Sequence, residues 1–141
     1  MEKVLDKNLQ FLQPELDKKK IAVHHDLDGR SLPLRADPQF LYRTFLNIFV
    51  NAIQSMEDGG TITVNVVEGK NYYTVGIEDT GCGISQENLS KIFDPFFSTK
   101  ETGTGLGASI VRNIIEGHGG SIRIESEEGT GTEVTIKLPR G

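Results

Sequence analysis

The chain reads as an α+β domain, a two-layer α/β sandwich in which about five strands form a mixed sheet and three main helices cover one face. Three observations predict this. Segments of two-residue apolar alternation come in pairs joined by turn residues, 61–67 with 72–79 and 121–126 with 132–139. Other segments repeat apolar residues at helical spacing instead. The 16 glycines of the 141 residues exceed the usual ~7% and fall mostly in short clusters between these segments, so they mark loops rather than disorder.

Taken in order, residues 3–19 place Val4, Leu5, Leu9, Leu12 and Leu16 at helical spacing, and Pro14 predicts a kink or break. "IAVHHDL" reads as a strand with Ile21, Val23 and Leu27 on one face. "DGRSLPLRADP" is a loop ending at Asp37, a good helix N-cap, with Pro38 at the first helical position. A long helix then runs to about Glu57, where "DGG" stops it. "TITVNVV" and "YYTVGIED" form an antiparallel hairpin around "EGKN". Residues 80–105 are mostly loop with a short helix or two. A helix spans about Leu106 to Glu116 and ends at "GHGG", and "SIRIES" and "TEVTIKLP" close the chain as a hairpin around "EGTG". Neither a repeat nor a linker interrupts residues 1–141, so they read as one domain.

Bulk composition narrows the function. The net charge of −5 weighs against a general nucleic-acid or anionic-membrane surface. One cysteine, Cys82, builds no disulfide framework and has no partner for a metal or redox site. No apolar stretch is long enough to span a bilayer and the N-terminus is not a signal peptide. The cytoplasm is the expected compartment, which is compatible with a membrane-anchored parent protein. His24, His25 and His118 have no ligand-like grouping and read as surface or packing residues.

Three stretches carry chemistry. The helix "FLYRTFLNIFVNAIQSM" is apolar nearly all round except for Arg43, Asn47, Asn51 and Ser55, which share one face at four-residue spacing. Such a stripe either meets solvent or lines a polar site, because a buried amide without partners costs a few kcal/mol. An asparagine oxygen is also a suitable neutral ligand for Mg²⁺. In "YYTVGIED" the alternation puts Asp79 at the end of the apolar face of Tyr73, Val75 and Ile77. Thr132 shares parity with Val134, Ile136 and Leu138. A carboxylate and a hydroxyl at the inner edge of the sheet suit a donor such as an exocyclic amine; a turn-capping aspartate is the plainer alternative. Gly81 and Gly83 follow Asp79 at once and let backbone approach a flat ligand.

The third stretch is "STKETGTGLGAS". Gly103, Gly105 and Gly107 precede a helix whose free N–H groups and dipole favour phosphate, and Lys100, Ser98, Thr99, Thr102 and Thr104 add charge and donors. Bare backbone here fits the wrapping of a polyphosphate and a movable lid. No P-loop string is present. Gly103, Gly105 and Ala108 fit a dinucleotide fingerprint, but the preceding "DPFFSTKET" is too polar for the buried strand that motif requires.

Together and in order, these clusters resemble the catalytic and ATP-binding domain of sensor histidine kinases, of the superfamily shared with gyrase, the heat-shock chaperone ATPases and mismatch-repair ATPases. "NIFVNAIQS" is similar to the N box, "EDTGCGI" to the first glycine box, "IFDPFFSTK" to the F box, "GTGLGAS" to the second glycine box and "GTGTEVTIKLP" to the final box. The resemblance covers nearly the whole chain, and "NAIQSM" and "PFFSTK" look most like the nitrogen-regulation type. It implies ATP and Mg²⁺ as cofactors. Asn51 would ligate the metal, and Asn47 would contact phosphates or the metal shell. Asp79 would accept from the adenine amine with Thr132 beside it through water. Gly81, Gly83 and Ile84 would line the base. Lys100 would approach the terminal phosphates. Gly103, Thr104, Gly105, Leu106 and Gly107 would form the lid and helix start, and Phe93, Phe96 and Phe97 would anchor the lid. Asn47, Asn51 and Lys100 are thus the catalytic candidates.

Departures from the pattern are informative. The hydrolytic relatives carry glutamate at the position of Asn47, and an amide is a poor general base. Gln54 and Ser55 stand where many sensor kinases have lysine and tyrosine. Gln54 keeps a place in the nucleotide site, and its phosphate contact stays open. No histidine has the context of the family's phosphoacceptor, so the chain is expected to be the catalytic half alone. It is expected to be monomeric, to act on a histidine of the same parent's dimerisation domain, to engage a response regulator only indirectly, and to bind no nucleic acid. A hydrolysing ATPase, a protein-serine kinase of the anti-sigma type and a non-catalytic nucleotide sensor are the rival functions.

Overall fold

The computed structural model describes residues 1–93 and 107–140. Among the described residues four helices, α1 (Glu2–Lys19), α2 (Pro38–Gln54), α3 (Gln86–Leu89) and α4 (Gly107–Gly117), accompany five strands, β1 (Ile21–His25), β2 (Gly60–Glu68), β3 (Tyr72–Asp79), β4 (Ser121–Glu127) and β5 (Gly131–Pro139). The sheet order is β1-β2-β3-β5-β4, with β1 parallel to β2 and every other pair antiparallel. The predicted mixed sheet of five strands is therefore present. The one parallel pair follows from α2, which provides the crossover from β1 to β2.

Alternation explains the two faces. Ile62, Val64 and Val66 of β2, Tyr73, Val75 and Ile77 of β3, and Ile136 and Leu138 of β5 are all buried. The intervening Thr63, Asn65, Glu78, Glu133 and Lys137 are exposed. A largely antiparallel sheet can leave one face in water, and this one does. Against the inner face lie Leu5, Leu9, Leu12 and Leu16 of α1, Phe45, Phe49 and Ile53 of α2, and Val111 and Ile115 of α4.

Local chemistry sets the boundaries. Asp37 caps α2 by accepting from Gln39 N at 2.9 Å, with Pro38 at the start. The helix closes at Gln54, short of the Glu57 expected. Pro14 breaks nothing, and α1 runs through it from Glu2 to Lys19. Pro14 and Gln10 both lie on the exposed side, so water can serve the Gln10 carbonyl that proline leaves without a donor. The buried Leu12 and Leu16 on either side hold the helix to the core.

Candidate functional site

The polar stripe of α2 runs toward the end of β3. Arg43, Asn51 and Gln54 are exposed, and Asn47 and Ser55 are half-buried. Successive stripe residues are displaced by about 6 Å along the helix axis. Ser55, at the helix C-terminus, completes the row. Its Oγ donates to Ala52 O at 2.7 Å and lies 3.4 Å from Asp79 Oδ1. The stripe therefore ends at Asp79 rather than facing only open solvent along its length.

Asp79 is 8% exposed and closes the inner face of β3, as the alternation requires. Its Oδ1 accepts from Gly81 N at 2.9 Å, capping the end of the strand. The turn-capping role and the inward carboxylate thus coexist in one side chain. Register places Thr132 of β5 opposite Asp79, and Ser126 of β4 opposite Thr132. Asp79, Thr132 and Ser126 form a polar row across three strands at one end of an otherwise apolar face.

The loop after Asp79 is stitched on both sides. Cys82 N donates to Ser55 O at 3.1 Å, and Gly129 N donates to Cys82 O at 2.7 Å. Ile84 N donates to Ser126 Oγ at 2.7 Å. A β-carbon at position 81 would fall 2.8 Å from the Ser55 carbonyl oxygen, and one at 83 would run into the Glu127 carbonyl. The two glycines are demanded by α2 and by the β4–β5 hairpin, a reason independent of any ligand. Gly83 also sits at φ 72°, where a side chain is strained. Gly83→Ala is expected to destabilise the fold by about 2 kcal/mol or more, measured by urea unfolding. A loss under about 0.5 kcal/mol would mean the loop is not clamped by the hairpin.

The structure thus brings Asp79, Gly81, Gly83, Ile84 and Thr132 to one end of the sheet, with Ser55 joining them to the C-terminal end of α2, and Asn47, Asn51 and Gln54 lie along that helix. Lys100, Gly103, Thr104, Gly105 and Leu106, with Phe96 and Phe97, lie outside the described residues. Gly107 opens α4. Phe93 sits beneath the Arg112 guanidinium, 4.9 Å from ring centre to Cζ, which ties the segment after α3 to α4. Ser126 was not anticipated. Its parity with Ile122 and Ile124 was the available signal, since it extends their inward row by one.

Among the described residues no group of three or more His, Cys, Asp or Glu could hold a metal, and no helix is long and apolar enough to cross a membrane. A divalent ion at the stripe would take amide oxygens from α2 and find its other ligands on a bound phosphate and water. That donor set fits Mg²⁺, which keeps several waters and favours substrate phosphates.

Residues 36–141 match the model of the family described as histidine kinase-, DNA gyrase B-, and HSP90-like ATPase. The chain is 35% identical over 136 residues to the sensor histidine kinase ZraS of Escherichia coli (strain K12), covering 96% of this chain and 29% of that protein. It therefore spans less than a third of that relative's length. Among solved structures, the catalytic domain of histidine kinase ThkA superposes with a TM-score of 0.89 at 30% identity, covering 99% of this chain and 92% of that one. Full-length ShkA in complex with AMPPNP gives a TM-score of 0.85 at 25% identity, covering 98% of this chain and 29% of that one.

Proposed function

Because the chain belongs to the histidine kinase-, DNA gyrase B-, and HSP90-like ATPase family, and within it to the catalytic domains of sensor histidine kinases, we propose the following residue-level division of labour. ATP lies along the α2 stripe, with adenine at Asp79 and Thr132 and the phosphates toward Asn51 and Asn47. The Asn51 amide oxygen would hold Mg²⁺, which when bound would supply charge neutralisation. Gly81, Gly83 and Ile84 flank the base, and Gln54 faces the phosphates from the same turn as Asn51. For Lys100, Gly103, Thr104, Gly105, Leu106 and Gly107 the proposed role is the phosphate-side one that the resemblance implies. The observation that carries this reading is the convergence of the stripe and the inner carboxylate, joined through Ser55 at 3.4 Å from Asp79. The AMPPNP complex of ShkA, a protein of the same fold, supports it.

The acceptor is a histidine on the dimerisation domain of the same parent. An imidazole nitrogen attacks the γ-phosphorus, the bond to the β-phosphate oxygen breaks, and ADP leaves. This chain contributes positioning and charge neutralisation, which suffice for phosphoryl transfer. Asn47 holds no exchangeable base function where a hydrolase would need one, so water is poorly activated and the phosphoryl group is kept for histidine. The fragment acts as a monomer, and a response regulator receives the phosphoryl group from the acceptor domain rather than from this chain.

Mixing the chain with the separately produced dimerisation domain and γ-labelled ATP tests this. Acid-labile label is expected on the acceptor domain, and none when its histidine is replaced. Acid-stable label on a serine would transfer the protein to the serine-kinase reading. Rapid phosphate release without any acceptor would indicate a hydrolase.

A further inference from the structure

The two edges of the sheet are finished differently. On the β1 side, β2 runs on to Glu68 after β1 has ended opposite Val64. There Asp26 Oδ1 accepts from Val66 N at 3.3 Å and Arg30 Nη1 donates to Val66 O at 2.8 Å, so side chains occupy the edge where a longer β1 would have paired. β4 forms the opposite edge. Arg140 N donates to Asn71 O at 2.9 Å, so odd-numbered residues of β3 bond even-numbered residues of β5. Backbone groups alternate sides, so the odd residues of β5 turn to β4 and bond Ser121, Arg123, Glu125 and Glu127 opposite them. The N–H and C=O of Ile122, Ile124 and Ser126 point off the sheet, and no group among the described residues bonds them. Ile122 and Ile124 are half-buried on the inner face, while Arg123 and Glu125 stand exposed on the outer one, Nε to Oε1 2.8 Å. Glu125 lies opposite Glu133 of β5, and Glu133 opposite Glu78 of β3. Carboxylates on adjoining strands repel, and this row has an open side beyond Glu125.

We propose that β4 is a self-complementary edge on which a second copy of this chain docks, antiparallel and two-fold symmetric about Ile124. Only the even residues offer bonds at this edge, and charge then chooses the register. Centring on Arg123 sets that residue against its own copy, and centring on Glu125 sets two Glu125 carboxylates together. Centring on Ile124 sets Arg123 opposite the second copy's Glu125, at non-hydrogen-bonded positions where side chains approach most closely. It also pairs every open group of Ile122, Ile124 and Ser126, whereas registers centred further along leave some of them unpaired. Ile124 then covers its own copy, and a guanidinium reaches the open side of the carboxylate row. Each nucleotide site lies within one chain, so the contact joins catalytic units that act singly, and the inference goes beyond the nucleotide reading without resting on it. One strand edge belongs to the small, transient class of interfaces, so the pair gains weight where a parent's dimerisation domain holds two copies close.

Sedimentation velocity of the chain from micromolar to millimolar concentration tests this, with reversible pairing expected toward the upper end. Arg123→Glu and Glu125→Arg each set like charges opposite one another, twice over in a symmetric pair. Each should weaken self-pairing about tenfold or more. Both side chains are exposed, so both variants should fold and bind ADP as the native chain does. A mixture of the two variants should form a mixed pair, and the double variant Arg123→Glu/Glu125→Arg should regain self-pairing. A native chain that stays single at millimolar concentration overturns the inference. So does pairing that ignores the charge reversals, or a mixture in which the two variants stay apart. These outcomes leave the nucleotide reading standing, and failure of the native chain to bind ADP would strike that reading alone.

Discussion

Asn51→Ala is expected to abolish the Mg²⁺-dependent part of nucleotide binding while the domain stays folded. Asn51 stands exposed on the fourth turn of α2, away from the Phe45, Phe49 and Ile53 face that holds the helix to the sheet. Its exposure keeps the substitution out of the core, so the variant should still fold. If the amide oxygen ligates the ion, its removal should cost on the order of 100-fold in Mg²⁺-supported affinity, since even partners that merely orient metal ligands are worth 10–100-fold. Titration of ADP with and without Mg²⁺, beside a circular dichroism melt, separates the two effects. Unaltered Mg²⁺ dependence in a folded variant would remove the metal from Asn51.

Asp79→Asn carries the second large effect, on the base rather than the phosphates. The new amide can keep its oxygen toward Gly81 N, so the turn after β3 should survive. Its NH₂ then replaces an acceptor where the adenine amine must donate. Losing a bond to a charged group and facing donor with donor should weaken ADP roughly 100-fold. Tripolyphosphate, which never reaches β3, should change by no more than about twofold, the scale of a remote and nearly additive substitution. Equal losses for the two ligands would place Asp79 away from the base.

Much of this was readable before any coordinates. The inward parity of Tyr73, Val75, Ile77 and Asp79 followed from the two-residue pleat, and burial agrees at every one of these positions. Asp37 and Pro38 announced the start of α2, because capping chemistry is local. Other features depended on tertiary context. Pro14 looked like a helix breaker, yet exposure of its side of α1 and burial of Leu12 and Leu16 outweighed one lost hydrogen bond. The stripe of Asn47, Asn51 and Ser55 could equally have met bulk water. Only the packing of the α2 C-terminus against the Asp79 turn shows where it leads. Gly81 and Gly83 suggested room for a flat ligand, whereas their closest demands come from Ser55 and Glu127. Ser126 was missed because its meaning depends on β4 pairing with β5 in a register that sets it beside Thr132, a fact of strand order and not of spacing.

The central claim is that the α2 stripe and the Asp79 end form one site for Mg²⁺ and an adenine nucleotide. Calorimetric titration of a non-hydrolysable ATP analogue, with and without Mg²⁺ and beside its guanine counterpart, tests it most directly. Binding selective for adenine and strengthened by Mg²⁺ is the predicted result. Absent binding, or binding indifferent to both the base and the metal, would contradict it.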